Sequence, residues 1–192
     1  MSDAHVFPIK WCKFRSSDTF LIDANVWVLL NGPSGLKRDI AVEYSSALHK
    51  MLAAQCKLFV DVLVLSEFVN RYSRYKFVMW KPTEEVTFKD FRSSTDYPPV
   101  ARDIADAVRG ILGMCQLVGP DLESIDLEAL LSDFEENRRD INDQLLAEMC
   151  RSKNLTLITH DRDFKGYEIT VFTANPRMLE PENETAIETT SH

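Results

Sequence analysis

Short unbroken apolar runs alternate along this chain with longer stretches of helical periodicity. FLIDA (20–24), LFVDV (58–62), CQLVG (115–119), LTLIT (155–159) and EITVFT (168–173) are runs of strand length. From about 36 to 54, LKRDIAVEYSSALHKMLAA repeats Ile40, Tyr44, Ala47, Leu48 and Met51 at helical spacing. Helices are also predicted over 25–31 (stopped by Asn31-Gly32-Pro33), over LVLSEFVNRYSRYKFVMW up to Pro82, over PVARDIADAVRGILGM, over the acidic LEALLSDFEENRR, and over INDQLLAEMCRSKN. Strands that are apolar throughout, rather than alternating, are buried on both faces. With helices between them they predict an α/β fold: a three-layer α/β/α sandwich around a mostly parallel sheet of four or five strands.

Residues 82–99 break this rhythm with a mixed polar and aromatic stretch closing at Pro98-Pro99, the expected inserted or mobile segment. Residues 1–18 read as a lead-in, 19–175 as the domain, and 176–192 as a polar, flexible tail. At 192 residues a single domain is expected, given about 150 residues per domain.

Charge narrows the partners. Lys plus Arg is 22 and Asp plus Glu is 30, a formal charge of −8, so the chain is no general polyanion binder. Any contact with nucleic acid needs a local basic rim or bridging cations. Cys12, Cys56, Cys115 and Cys150 form no CxxC pair and lie near no ligand-spaced His, which predicts reduced thiols and no zinc site. No run approaches the roughly 18 apolar residues of a membrane span, and MSDAHVFPIKWCKF lacks the core of a signal peptide. A cytoplasmic protein without membrane contact is the expectation.

The chemistry lies in carboxylates at strand ends, where open parallel sheets place their sites. Asp23 closes the first strand, within apolar surroundings where an unpaired carboxylate costs several kcal/mol. A helix cap, a salt bridge or a metal ion would each account for it. Glu67 lies one or two turns into the helix after the second strand, Asp143 in the first turn of the helix before the fourth, and Asp161 and Asp163 just after it. Each has an ordinary reading: a solvated helix position, a helix-dipole partner, a turn former. If the first and fourth strands are neighbours, the groups converge. A divalent cation would then remove their repulsion. An all-oxygen donor set suits Mg²⁺ or Mn²⁺ rather than Zn²⁺. Such an ion can activate water and hold a phosphodiester oxygen, so phosphodiester hydrolysis is the natural chemistry.

Together LIDANV, LSEF, NDQLLAEM and LITHDRDF resemble the PIN domain, most closely the VapC-like toxin ribonucleases. The resemblance spans roughly residues 19–175, and the gap of 18 residues from Asp143 to Asp161 suits its helix-plus-strand unit. It implies that Asp23, Glu67, Asp143 and Asp161 are the catalytic, metal-holding quartet and that Asn25 and Thr159 orient ligands or water. Asp163 is then an outer carboxylate or a turn residue. Asp140 is an outer ligand or, more simply, a helix cap. His160 is a general acid or a loop histidine. The resemblance further implies an RNA substrate, an antitoxin-type inhibitor and a homodimer, the last also suggested by surplus apolar residues in the helices of 36–54 and 62–80.

Arg71, Arg74, Lys76, Lys81, Arg92, Arg138, Arg139, Arg162 and Lys165 are the basic residues expected near the mouth, with Arg138, Arg139 and Arg162 nearest the quartet in sequence as nucleic-acid contacts. Trp80, Phe88, Phe91 and Tyr97 could stack unpaired bases or pack a core. Two rivals remain. One is a PIN-like binding or scaffold protein without catalysis. The other is a phosphatase of the haloacid dehalogenase type, which needs a second Asp where Asn25 stands. Nucleotide-binding folds are excluded by the absence of GxxxxGK[ST] and GxGxxG.

Overall fold

A computed structural model describes residues 5–32, 38–81, 83, 85–121, 123, 125–136 and 138–180. The strands are β1 (His5–Pro8), β2 (Thr19–Ile22), β3 (Lys57–Asp61), β4 (Gln116–Val118), β5 (Thr156–Ile158) and β6 (Thr170–Thr173). The helices are α1 (Ala24–Asn31), α2 (Arg38–Ala53), α3 (Val62–Trp80), α4 (Phe88–Ser93), α5 (Tyr97–Met114), α6 (Leu127–Glu135), α7 (Ile141–Ser152) and α8 (Pro176–Leu179). Single 3-10 turns occupy Ile9–Trp11 and Arg162–Gly166.

The sheet has six strands in the order β1-β6-β5-β2-β3-β4, and every pair is parallel. Parallel neighbours need a crossover of about a dozen residues or more, which is why helices intervene. The inner strands are dry: Leu21, Val60, Leu157 and Val171 are fully buried. Each such side chain contributes about 1.5–3 kcal/mol of transfer free energy. Trp27 of α1, Tyr44 and Met51 of α2, Phe68 of α3 and Met149 of α7 cover the sheet. Carboxylates start several helices, Asp61 accepting from the Leu63 amide at 2.6 Å and Asp140 from Asn142 at 2.8 Å.

Three expectations change. The lead-in supplies β1, whose Phe7 lies opposite Phe172 of β6, so the sheet gains a sixth strand. The 82–99 segment holds α4 and the start of α5. A Thr87–Asp90 capping box fixes α4, and Pro98 and Pro99 open α5 rather than end a loop, because the missing amides of the first turn have no partner to lose. Phe91 is fully buried, against Phe77, Trp80 and Tyr97, so it packs a core and offers no stacking face. Finally, the start of the expected tail forms α8, anchored by the buried Met178. Pro33, Pro82 and residues 181–192 lie outside the described residues.

Candidate active site

The strand order makes the arrangement. β2 lies between β5 and β3, so the segments after these strands emerge side by side at one end of the sheet. Asp23 follows β2, Asp161 follows β5, and Glu67 sits on α3 directly after β3. Asp143 joins from the first turn of α7.

Asp23 is 5% exposed. It stands at the N-cap of α1, yet its side chain caps nothing there. Its carboxylate turns to β5 instead. Thr159 Oγ1 donates to Oδ2 at 2.6 Å, and Asn25 Nδ2 donates to the same oxygen. The Asp23 main-chain amide donates to the Ile158 carbonyl at 3.0 Å, which fixes the depth of the group. Burial lifts its pKa to about 6; Glu67 adds to the rise, while the Thr159 hydrogen bond, the Ala24 amide and Arg71 restrain it.

Thr159 is fully buried and ties three segments together. Its hydroxyl, which donates to Asp23, accepts from Asn25 Nδ2 and from the Asp161 amide, both at 3.0 Å. Asn25 Oδ1 accepts from the His160 amide at 3.0 Å. The loop after β5 is thereby pinned to the start of α1. Asp161 in turn caps the following 3-10 turn by accepting from the Asp163 amide at 3.1 Å.

Asp143 carries the largest rise of the site's carboxyls. Burial leads, followed by the charges of Asp140, Asp161, Asp23 and Glu67, and its pKa reaches about 7. Each of the other three quartet members therefore acts on Asp143 through space, although the four arise from four different segments. Glu67 is partly exposed and pairs with Arg71 at 2.6 Å. Among the described residues no three Asp, Glu, His or Cys groups are drawn together tightly enough to grip one ion as they stand. The all-oxygen donor set and its negative field, only partly offset by Arg71, suit a hard divalent cation.

The remaining residues are placed as follows. Asp140 caps α7 and adds its charge to Asp143. Asp163 is exposed, 3.9 Å from Arg162. Arg138 is bound to Asp133 and Glu136, both at 2.9 Å. Arg139 donates to the Gly166 carbonyl at 2.8 Å and lies over the Tyr167 ring. Both side chains thus have local partners at the surface, and Arg162 is largely exposed.

A pattern of carboxylates does not reveal Tyr44 or Asn175. The buried Tyr44 hydroxyl donates to the Thr159 carbonyl at 2.9 Å, accepts from the Ala174 amide at 3.0 Å and lies 3.2 Å from His160 Nδ1. Asn175 Nδ2 donates to the His160 carbonyl at 2.7 Å. Tyr44 reads as one more apolar position of α2, and only its hydroxyl hints at a second task. Asp61 is also a buried acid, but its carboxylate is used in capping α3.

The PIN-domain family profile matches residues 20–169, a span that holds all four carboxylates. This chain belongs to the PIN-domain family. No curated protein matches it. Among solved structures, the protein PAE2754 from Pyrobaculum aerophilum shares 16% identity, with 81% of this chain and 90% of that chain covered and a TM-score of 0.43. PIN domains are generally nucleases that need a divalent metal and bind nucleic acid. In this PIN domain no helix among the described residues is long and apolar enough to cross a membrane.

Proposed function

We propose that this PIN domain is a metal-dependent endoribonuclease, with Asp23, Glu67, Asp143 and Asp161 holding Mg²⁺ or Mn²⁺. The observation that carries the reading is the strand order β5-β2-β3, which brings Asp161, Asp23 and Glu67 to one end of the sheet, where burial and the charges of Asp140, Asp161, Asp23 and Glu67 all raise the pKa of Asp143. Such mutual repulsion weakens a fold and persists at functional sites, where a ligand relieves it. When bound, a divalent ion would supply a water of lowered pKa and neutralise a phosphodiester oxygen.

The chain's own groups have distinct tasks. Thr159 and Asn25 orient Asp23 by donating to its Oδ2. The first turn of α7 presents Asp143, whose carboxyl burial and the neighbouring charges push up to about 7 while no cation is bound, a repulsion that a divalent ion would relieve. Arg162, exposed beside the loop, would meet a phosphate, and Asp163 would serve as an outer carboxylate or a turn residue.

RNA as substrate, an antitoxin-type inhibitor and a cytoplasmic place of action follow the likeness to toxin ribonucleases. A homodimer is supported by apolar side chains left exposed on α2 and α3, Val42, Val62, Val78 and Met79. The test is incubation of purified protein with total RNA and Mn²⁺. Wild type should cleave, whereas Asp23→Asn and Asp143→Asn, both folded, should not. Undiminished cleavage by both variants rejects the site. No cleavage by wild type favours a binding or scaffold protein.

A further inference from the structure

Glu67 and Arg71 lie one turn apart on α3, on one face of the helix, with Arg71 Nη2 2.6 Å from Glu67 Oε1. Arg71 is also the cation whose charge restrains Asp23, so it acts on two members of the quartet. Three other basic residues expected at the mouth have partners elsewhere. Arg74 lies over the Phe88 ring, Lys76 lies beside Asp103 and over Tyr72, and Lys165 donates to the Glu180 carbonyl.

An ion pair of this kind is easily displaced. Its side chains are 50% and 38% exposed, and exposed helix pairs are weak. A guanidinium also matches a phosphate as well as it matches a carboxylate, because its fork of donors meets two oxygens at once. We infer that Arg71 is the resident counter-cation of the acidic site: it holds Glu67 while no metal is bound, gives Glu67 up when a divalent ion enters, and then takes a non-bridging phosphate oxygen of the substrate.

This rests on the metal reading above and adds a residue that couples metal entry to substrate binding. Metal and Arg71 compete for Glu67, so the free arm exists only in the loaded protein. Charge follows the same logic. Without its cation the apo site is more negative, which favours Mn²⁺ and disfavours a polyanion.

The experiment uses the full chain as wild type, Arg71→Gln and Arg71→Lys. Mn²⁺ binding without RNA is read from the electron paramagnetic resonance of free Mn²⁺. Binding of a fluorescein-labelled single-stranded RNA oligonucleotide is read by stopped-flow anisotropy before cleavage, with and without Mn²⁺. Removing the competing pair and its charge should tighten Mn²⁺ binding about three- to tenfold in Arg71→Gln. The Mn²⁺-dependent gain in RNA affinity should fall at least about fivefold in that variant. Arg71→Lys should keep the wild-type Mn²⁺ affinity and recover only part of the RNA gain. Unchanged or weaker Mn²⁺ binding by Arg71→Gln, with wild type binding normally, overturns this inference alone. Absence of Mn²⁺ binding by wild type overturns the metal reading, and this inference with it.

Discussion

Thr159 donates its hydroxyl to Asp23 at 2.6 Å, across the boundary between two adjacent parallel strands. The bond joins residues 136 positions apart, and both are buried. It favours the ionised form of a carboxyl that burial would otherwise keep protonated. Thr159→Val removes this support while keeping the shape of the side chain. The acid limb of the pH–rate profile should move to higher pH, whereas Thr159→Ser should leave it near wild type. A profile that Thr159→Val does not move would mean that Asp23 ionisation does not limit the reaction.

The same shifts predict how the metal-free fold responds to pH. Asp23 rises from 3.8 to about 6 and Asp143 from 3.8 to about 7, so the folded chain binds both protons more tightly than the unfolded chain. This stabilisation is complete below the ordinary carboxyl pKa and is lost as pH rises through 6 and then 7. For the buried Asp23 the loss amounts to about 3 kcal/mol at most. In EDTA the melting temperature should therefore fall between pH 5 and pH 7.5. A flat or rising Tm over that window would show that these carboxyls titrate normally.

Tyr44 offers a sharper test of the loop after β5. Tyr44→Phe keeps the ring in the core but leaves the Thr159 carbonyl and the Ala174 amide without their partner. The expected cost is about 1–3 kcal/mol, measured by urea unfolding. Cleavage should fall as well, because that carbonyl lies two residues from Asp161. A loss of stability with kcat intact would reduce Tyr44 to a packing residue.

How much of this was legible depended on length scale. The long helices and four inner strands were readable because their apolar patterns are local and strong. β1 was not, since HVFP is four residues, ends in Pro8 and gains strand character only by pairing with β6. Asp23, Asn25 and Thr159 could be named from one motif each, but their shared hydrogen bonds needed the order β5-β2-β3. Arg138 and Arg139 illustrate the opposite case. Their nearness in sequence to Asp143 suggested a phosphate rim, and the pairing of both with Asp133 on α6 was not part of that reading. No local pattern encodes which of two nearby charges an arginine will meet.

Phe91 distinguishes packing from base stacking. It is fully buried among Phe77, Phe88, Trp80 and Tyr97. Phe91→Ala should cost about 3–5 kcal/mol through the transfer and cavity terms, read from chemical denaturation. RNA affinity below the melting transition should be unchanged. A selective loss of RNA binding with stability intact would return this aromatic group to the substrate.

Asp143→Asn tests the site through stability rather than activity. In the metal-free protein the ionised Asp143 meets the charges of Asp140, Asp161, Asp23 and Glu67. Removing that charge relieves repulsion, although it also gives up a favourable position in the first turn of α7. The helix-dipole gain is about 0.3–1 kcal/mol at an exposed end, which four repelling neighbours can offset. The variant should therefore melt no lower than wild type in EDTA near pH 7.5. Metal reverses the comparison, because it binds the folded cluster and not the unfolded chain. At about 100 times its dissociation constant it adds about 2.7 kcal/mol, a rise of roughly 5–10 °C for a domain of this size. Wild type should show that rise in Mn²⁺, and Asp143→Asn should show little of it. If both proteins gain equally, Asp143 is not a ligand and its charge serves α7 alone.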